Sequence, residues 1–342
     1  MFVARCRHGG GMDHASPRSR SVQPPHPALL RGPFHRSDGL AVETAGRLRG
    51  PAFRRVTRGG YDVAGALPDY GRRLRALRTV LPADAVLCGR SAAWVWGARL
   101  ARPDARVEVC LPKHRRVRPR AELVVHCDAL PEQDVCRTPL GPATTPARTA
   151  FDLARSLPDR EAVRWVDALL RATGSSVTAV ERVAERPGMH GVRGVRRARR
   201  LLPLVDPRAE SPQESSLRWV LVTAGVPSPR PQFVVKDGDG GFVARLDLAW
   251  PLLLVGVEYD GAHHRHPHQH RRDLERHNRL RSCGWCVLQV DAAQLHDEQR
   301  LVSLVRLTLD RAGRGIGPTG QPLGGTRERT GVTPGGRRAG GR

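Results

Sequence analysis

The chain has 342 residues, 39% of them hydrophobic, a net charge of +24 and seven cysteines. An odd, scattered cysteine set argues against a disulfide framework, and no apolar run reaches transmembrane length, which together predict a cytoplasmic protein of two or three domains with no membrane partner. The charge is uneven: residues 210–310 hold twelve basic and thirteen acidic side chains, so the excess belongs to the front two thirds and to the tail. All basic side chains except Lys113 and Lys236 are Arg. A GC-rich coding sequence would account for that choice but not for the net excess, which favours a polyanionic partner, with DNA the default.

Residues 1–26 are rich in Pro, Ser, His, Arg and Gly and read as disordered, as does the Gly/Pro/Arg tail at 314–342. Between 27 and 66, Arg36–Leu40 reads as a short helix with Ser37 as its N-cap. Phe53-Arg-Arg-Val-Thr-Arg-Gly-Gly-Tyr61 alternates apolar and basic residues around a Gly-Gly turn. Helix followed by basic hairpin is the outline of a degenerate winged helix, and it makes Arg54, Arg55 and Arg58 candidate nucleic-acid contacts. The stretch 67–207 reads as a mixed α+β domain. A basic helix at 69–81 is followed by a small-residue helix at 87–97 and strands at 106–111 and 122–127. Next comes a helix capped by Thr145 with Pro146 at its first position, then helices at 159–172, 176–186 and 192–203. No catalytic cluster emerges from this stretch.

From 208 to 313 the order is α-β-β-β-α-β-α: a helix from Ser211, strands at 231–236, 242–249 and 252–259, a helix at 271–282, a strand at 285–290 and a helix at 292–312. That order predicts a mixed sheet flanked by helices, so the fold class is α/β in the broad sense, more narrowly α+β. Asp247 and Glu258 interrupt apolar strands, where an uncompensated carboxylate is costly. Two adjacent strands that each carry an acid point to a divalent cation, Mg²⁺ or Mn²⁺, held by oxygen ligands, and so to phosphodiester chemistry. Glu214 stands three residues after Ser211 and suits either a metal site or a capping box; Asp260 suits either the site or the turn before Gly261. His263, His264, His266, His268 and His270 read as a solvated loop, and Arg272, Arg276 and Arg279 lie on one helical face, for phosphates or for solvent. Cys283-Gly-Trp-Cys286 is a lone pair without zinc-finger partners.

Ser211-Pro-Gln-Glu214, Arg245-Leu-Asp247, Val257-Glu258-Tyr-Asp260-Gly261, His264, Arg272-Asp273, Arg276 and Gly284-Trp285 together resemble a Vsr-like domain of the PD-(D/E)xK restriction-endonuclease-like superfamily. The resemblance implies a metal-dependent endodeoxyribonuclease in which Glu214, Asp247 and Glu258 bind metal, with Asp260 completing the site and His264 as general acid or base. Where the superfamily has the lysine of its ExK pattern, this chain has Asp260, leaving His264, Arg272, Gln289 or a second metal bound through Asp260 to take the lysine's part. Over roughly residues 30–205, the Phe53–Tyr61 hairpin and Thr144-Thr-Pro-Ala-Arg-Thr-Ala-Phe-Asp152-Leu resemble the winged-helix and middle domains of type IV toxin–antitoxin antitoxins. That likeness implies DNA binding. Two functions follow: a Mg²⁺-dependent DNA endonuclease in repair or defence, or a DNA-binding antitoxin-like regulator whose nuclease fold is inactive.

Overall fold

The structure, a computed structural model, describes residues 24–112, 117–118, 120–128, 130–261 and 267–314. The expectations for residues 1–23 and 315–342, and for His264, lie outside the described residues. The chain groups into two compact units, Met1–Ala85 with Ala101–Val107 and Arg116–Val124, and Val86–Leu100 with Glu108–Arg115 and Val125–Arg342. Helices and three sheets give the expected mixed α+β class. Among the described residues no helix is long and apolar enough to cross a membrane.

In the first unit, a 3-10 turn at Pro27–Arg31 precedes β1 (Phe34–His35), α1 (Arg36–Leu40), α2 (Ala45–Leu48), β2 (Phe53–Thr57), β3 (Gly60–Val63) and α3 (Tyr70–Arg78). The strands pair in the order β1-β3-β2 around Leu29, Phe34, Leu48, Phe53 and Tyr61, with Phe34 edge-on to Phe53 at 5.7 Å. Ser37 is inside α1; the cap is His35, whose Nδ1 accepts from the Ser37 N–H at 3.2 Å. Asp62 is fully buried and is clamped by both arms of Arg72 from α3, at 2.7 and 2.6 Å. A bidentate guanidinium satisfies a carboxylate that the core would otherwise reject.

The second unit opens with β4 (Val86–Leu87), α4 (Gly89–Val95), β5 (Val107–Cys110), β6 (Leu123–His126), β7 (Val135–Thr138) and β8 (Gly141–Thr144), whose sheet order is β6-β5-β4-β8-β7. The first residues of β5 and β6 are grouped with the first unit. Helices α5 (Pro146–Ser156), α6 (Asp159–Thr173), α7 (Val177–Glu185) and α8 (Val195–Leu201) follow. As the spacing predicts, Thr145 caps α5 by accepting from the Arg148 N–H, with Pro146 at its first position.

The remainder comprises α9 (Pro212–Thr223), β9 (Arg230–Lys236), β10 (Phe242–Trp250), β11 (Val255–Tyr259), α10 (Pro267–Ser282), β12 (Cys286–Val290), α11 (Ala292–His296) and α12 (Glu298–Arg314). The sheet runs β12-β11-β10-β9; β10 is antiparallel to both neighbours, and the crossover through α10 makes β12 parallel to β11. Leu217 and Leu221 of α9, with Val305 and Leu309 of α12, pack on Leu248, Val255 and Val257. Leu280 of α10 packs in a second cluster with Val235, Leu246 and Trp285. The strand expected from 252 starts at Val255, because Pro251–Leu253 form a 3-10 turn and Leu254 is left-handed at φ 51°. The final helix breaks at Asp297, between α11 and α12.

A buried polar contact joins α6 of the helical core to α9. Asp167 of α6, almost completely buried, receives Arg218 Nη2 of α9 at 2.6 Å and the Asp206 N–H at 2.7 Å. Arg218 also donates to the carbonyl of Leu204. Burial pushes the Asp167 carboxyl up to about 6 against the opposing pull of Arg218 and Ser215. Removing one member of such a pair strands the other in a low-dielectric site. We expect Arg218→Ala to cost about 3–5 kcal/mol in urea denaturation, and Asp167→Leu with Arg218→Met to cost clearly less than that single change.

Candidate functional site

The carboxylates of the C-terminal sheet lie in one transverse row. The pairing of Leu248 with Val257 sets Asp247 opposite Glu258; the pairs Leu246–Phe233 and Leu248–Pro231 set Gln232 opposite Asp247, and Glu258 pairs with Gln289. The row across β9, β10, β11 and β12 therefore reads Gln232, Asp247, Glu258, Gln289. Like charges directly opposite each other destabilise a sheet, so Asp247 beside Glu258 requires compensation.

Compensation comes from the chain itself. Arg276 of α10 donates to both Glu258 oxygens, at 2.5 and 3.0 Å, and His277 Nε2 stands 3.9 Å from the second. Asp247 Oδ2 accepts the Tyr259 N–H at 2.8 Å. Gln232 Nε2 donates to Glu214 Oε2 at 2.7 Å, from the position directly opposite Asp247. Gln232 adopts a left-handed backbone at φ 52°, a conformation that strains a non-glycine residue inside a strand. Ser211 caps α9 by accepting from the Glu214 N–H at 3.1 Å, but the expected reciprocal box is not formed. Glu214 Oε2 instead accepts the Glu210 N–H at 2.8 Å, so its carboxylate faces Gln232 and Asp247. Burial first, then Glu214 and Glu258, push the Asp247 carboxyl up to about 7, opposed by the Tyr259 N–H and Gln232. Glu258, meeting Arg276, holds that guanidinium above its usual range.

These contacts bear on the expected metal set. Glu214, Asp247 and Glu258 are brought together, yet their oxygens are turned to protein donors. Among the described residues no three His, Cys, Asp or Glu side chains are arranged to hold a metal ion. As placed, the residues do not fit a divalent cation. Asp260 follows β11 and extends its ladder through its N–H to the Val290 carbonyl at 2.8 Å. Gln289, a candidate for the lysine's part, sits 3.0 Å from His277 Nε2. Arg272 is exposed on α10, whereas Arg276 is committed to Glu258.

In the first unit Arg55 and Arg58 project from the β2–β3 hairpin and are exposed; Arg54 is half-buried, 3.8 Å from Asp62. Arg120 stiffens the turn by donating to Thr57 Oγ1 at 2.9 Å and to the Arg58 carbonyl at 2.8 Å. Helix α2 is four residues long, and its Arg47 is held by Glu43 at 2.9 Å and the Pro24 carbonyl at 3.0 Å. Among the described residues the hairpin presents Arg55 and Arg58 without an ion-pair partner, whereas Arg47 of the helix is held.

Sequence reasoning assigns no site residue to the middle stretch, but the structure gathers charge there. Buried Arg148 bridges Asp134 at 2.7 Å and Asp152 at 2.9 Å; Arg155 reaches Asp152 at 2.7 Å and also Asp128; Arg186 takes the other Asp134 oxygen at 2.5 Å. Next to this network, Cys88, Glu108, Cys110 and His126 help line a cavity of about 110 Å³. Its wall is tight at Gly89, which has φ +52° and would place a Cβ 2.0 Å from Glu108 Oε2. Glu108, 3.5 Å from His126, raises that imidazole against the effect of burial. The Arg148–Asp152 spacing on one helix was the legible sign; Asp128, Asp134 and Arg186 come from distant segments and leave none.

Residues 85–204 match the family model of the AbiEi antitoxin C-terminal domain, so the middle of the chain is antitoxin-like. The uncharacterized proteins MT2308 and Rv2248 of Mycobacterium tuberculosis (strains CDC 1551 / Oshkosh and H37Rv) are each 34% identical over 251 residues, covering 72% of this chain and 89% of theirs. The chain belongs to the same family as these two mycobacterial proteins. The crystal structure of the RV2827C protein from M. tuberculosis aligns at 19% identity over 61% of this chain and 86% of that one, with a TM-score of 0.35. None of these similarities extends the nuclease resemblance of the C-terminal sheet.

The raised Asp247 carboxyl has a measurable consequence. Its folded value of about 7 lies above the ordinary carboxylate range, so the folded chain keeps a proton that the unfolded chain releases near pH 4. Stability from this group is present at low pH and is lost as pH rises through about 7. Asp247→Asn cannot ionise. It should exceed the parent in stability by about 2–4 kcal/mol at pH 8 and converge on it by about pH 4, read from urea midpoints across that range.

Proposed function

We propose that this protein is a DNA-binding, antitoxin-like regulator, whose first unit contacts DNA through the basic hairpin and whose C-terminal sheet is nuclease-like in element order without a metal centre. The antitoxin-domain match over residues 85–204 carries the reading. Exposed Arg55 and Arg58 on a braced β-hairpin supply phosphate contacts, and the net charge of +24 supplies long-range attraction. Arg54 would contribute less, since it leans on Asp62, and exposed Arg272 is a second phosphate contact. Phosphate contacts hold register without reading bases, so a hairpin of this kind anchors more than it selects.

A second reading, a Mg²⁺- or Mn²⁺-dependent endonuclease, is favoured by the convergence of Glu214, Asp247 and Glu258, with Asp260 and His264 as further expected participants. Two experiments separate the readings. Fluorescence anisotropy on a labelled duplex between 50 and 200 mM salt should give steeply salt-dependent binding. Arg55→Ala with Arg58→Ala should weaken it about tenfold and lower the log–log salt slope by up to about two. Unchanged affinity and slope would remove the hairpin from the interface. Nicking of supercoiled plasmid in Mg²⁺ or Mn²⁺, lost in Glu258→Ala, would establish the endonuclease instead.

A further inference from the structure

We infer that the C-terminal carboxylate row carries a built-in counter-cation: Arg276 on Glu258, with the amide of Gln232 on Glu214 and the Tyr259 N–H on Asp247, occupies the coordination that a divalent metal would otherwise supply to the three acids. The superfamily resemblance implies a metal here, and this chain answers the same electrostatic problem with its own side chains.

Three features point the same way. Arg276 gives Glu258 two charge-assisted hydrogen bonds, at 2.5 and 3.0 Å, which uses the planar fork of a guanidinium to its full extent. A cation approaching Glu258 would have to displace both. Gln232 stands directly across from Asp247 and donates its amide to Glu214 at 2.7 Å, so the residue facing one acid holds the next. It reaches Glu214 from a left-handed backbone, a strain the strand would shed if the side chain had no work there. Backbone donors complete the set, with Glu210 N–H on Glu214 and Tyr259 N–H on Asp247. Each of the three carboxylates therefore has a donor positioned before any ion arrives.

A hard cation needs carboxylate oxygens with free lone pairs and the charge to hold it. With Arg276 in place the row has neither at Glu258. Withdrawing the guanidinium leaves Glu258 and Asp247 directly opposed, with the like-charge repulsion that a bound metal would relieve.

The test is Mn²⁺ binding to the full-length protein, followed by the electron paramagnetic resonance signal of free Mn²⁺ and by the thermal midpoint. Mn²⁺ prefers oxygen ligands, which separates this site from the histidine-rich run at 263–270. The parent should show no Mn²⁺ binding that Glu258→Gln removes. Arg276→Met keeps most of the aliphatic stem and removes the charge. It should gain a site at least about tenfold tighter than anything in the parent, and Mn²⁺ should raise its midpoint. Adding Glu258→Gln to Arg276→Met should abolish both effects. Should Arg276→Met be too unstable to isolate, Arg276→Gln, which retains hydrogen-bond donors, is titrated the same way. Tight Mn²⁺ binding by the parent that Glu258→Gln removes would overturn the inference, and so would a folded Arg276 variant that gains no site. Both readouts are independent of cleavage and of DNA binding, so failure here is distinguishable from failure of the regulator reading.

Discussion

Helix α9 is shared by two cores, and the buried pair Asp167–Arg218 makes that sharing possible. Its apolar residues Leu217, Val220 and Leu221 belong to the C-terminal sheet, while Arg218 and Ser215 turn toward α6. Two hydrogen-bonded charges in a dry interface are a poor source of net stability, since desolvation consumes most of their attraction. What they provide is position. A purely apolar contact would let α9 slide along α6, whereas an arginine that must meet Asp167 and the Leu204 carbonyl at once has a single register. Glu214 lies one turn before Arg218 on the same helix, so the joint that ties the antitoxin-like helices to the sheet also aims the carboxylate at Gln232 and Asp247.

With α9 placed, the electrostatics of the row follow. Three acids converge, and Arg276 brings a full positive charge to one of them, Glu258, at 2.5 Å. The chain spends that charge on Glu258 with bidentate geometry, worth about 1.5–3 kcal/mol for each charged hydrogen bond. Asp247 is left with neutral donors, and it is the acid whose ionisation burial disfavours. That is the expected outcome for the acid that burial reaches and the guanidinium does not. Metal-binding rows resolve the conflict with an ion that all the acids share. Here it is resolved by giving each acid its own partner, and the left-handed backbone at Gln232 is part of that arrangement.

The sequence exposed this site in part, for reasons that are physical. Asp247 and Glu258 interrupt apolar runs, and strand spacing was enough to predict that they would meet. The element order of the C-terminal region, the Thr145-Pro146 helix start and the basic hairpin were equally legible, because each depends on residues within a turn or two of one another. Gln232 was invisible: a glutamine in a strand is unremarkable, and nothing in Arg-Pro-Gln-Phe announces a positive φ. Arg276 was visible as a charge, but its partner was not, since the α10 crossover that brings it to Glu258 is a matter of tertiary packing. The two-residue shift of the α1 cap from Ser37 to His35 has a similar origin: an imidazole Nδ1 can accept from a helix N–H as a hydroxyl does, so the residue with the better statistics did not occupy the position.

Charge partition bears on what the rest of the chain can do. If the C-terminal region were a DNA-cleaving module in its own right, its surface would need a basic excess to hold a polyanion against its own acids. It has none, with twelve basic and thirteen acidic residues between 210 and 310, and one of those arginines is turned inward to Glu258. The hairpin arginines belong to the first unit, where Arg120 braces the turn and Asp62 is already neutralised by Arg72. Arg55 and Arg58 are exposed and have no ion-pair partner among the described residues, which suits them to releasing counterions from a phosphate backbone. The two acidic–basic arrangements are therefore of opposite kinds. In the C-terminal sheet arginine is turned inward to a carboxylate; in the first unit Arg72 and Arg120 are engaged in the fold while Arg55 and Arg58 stay exposed.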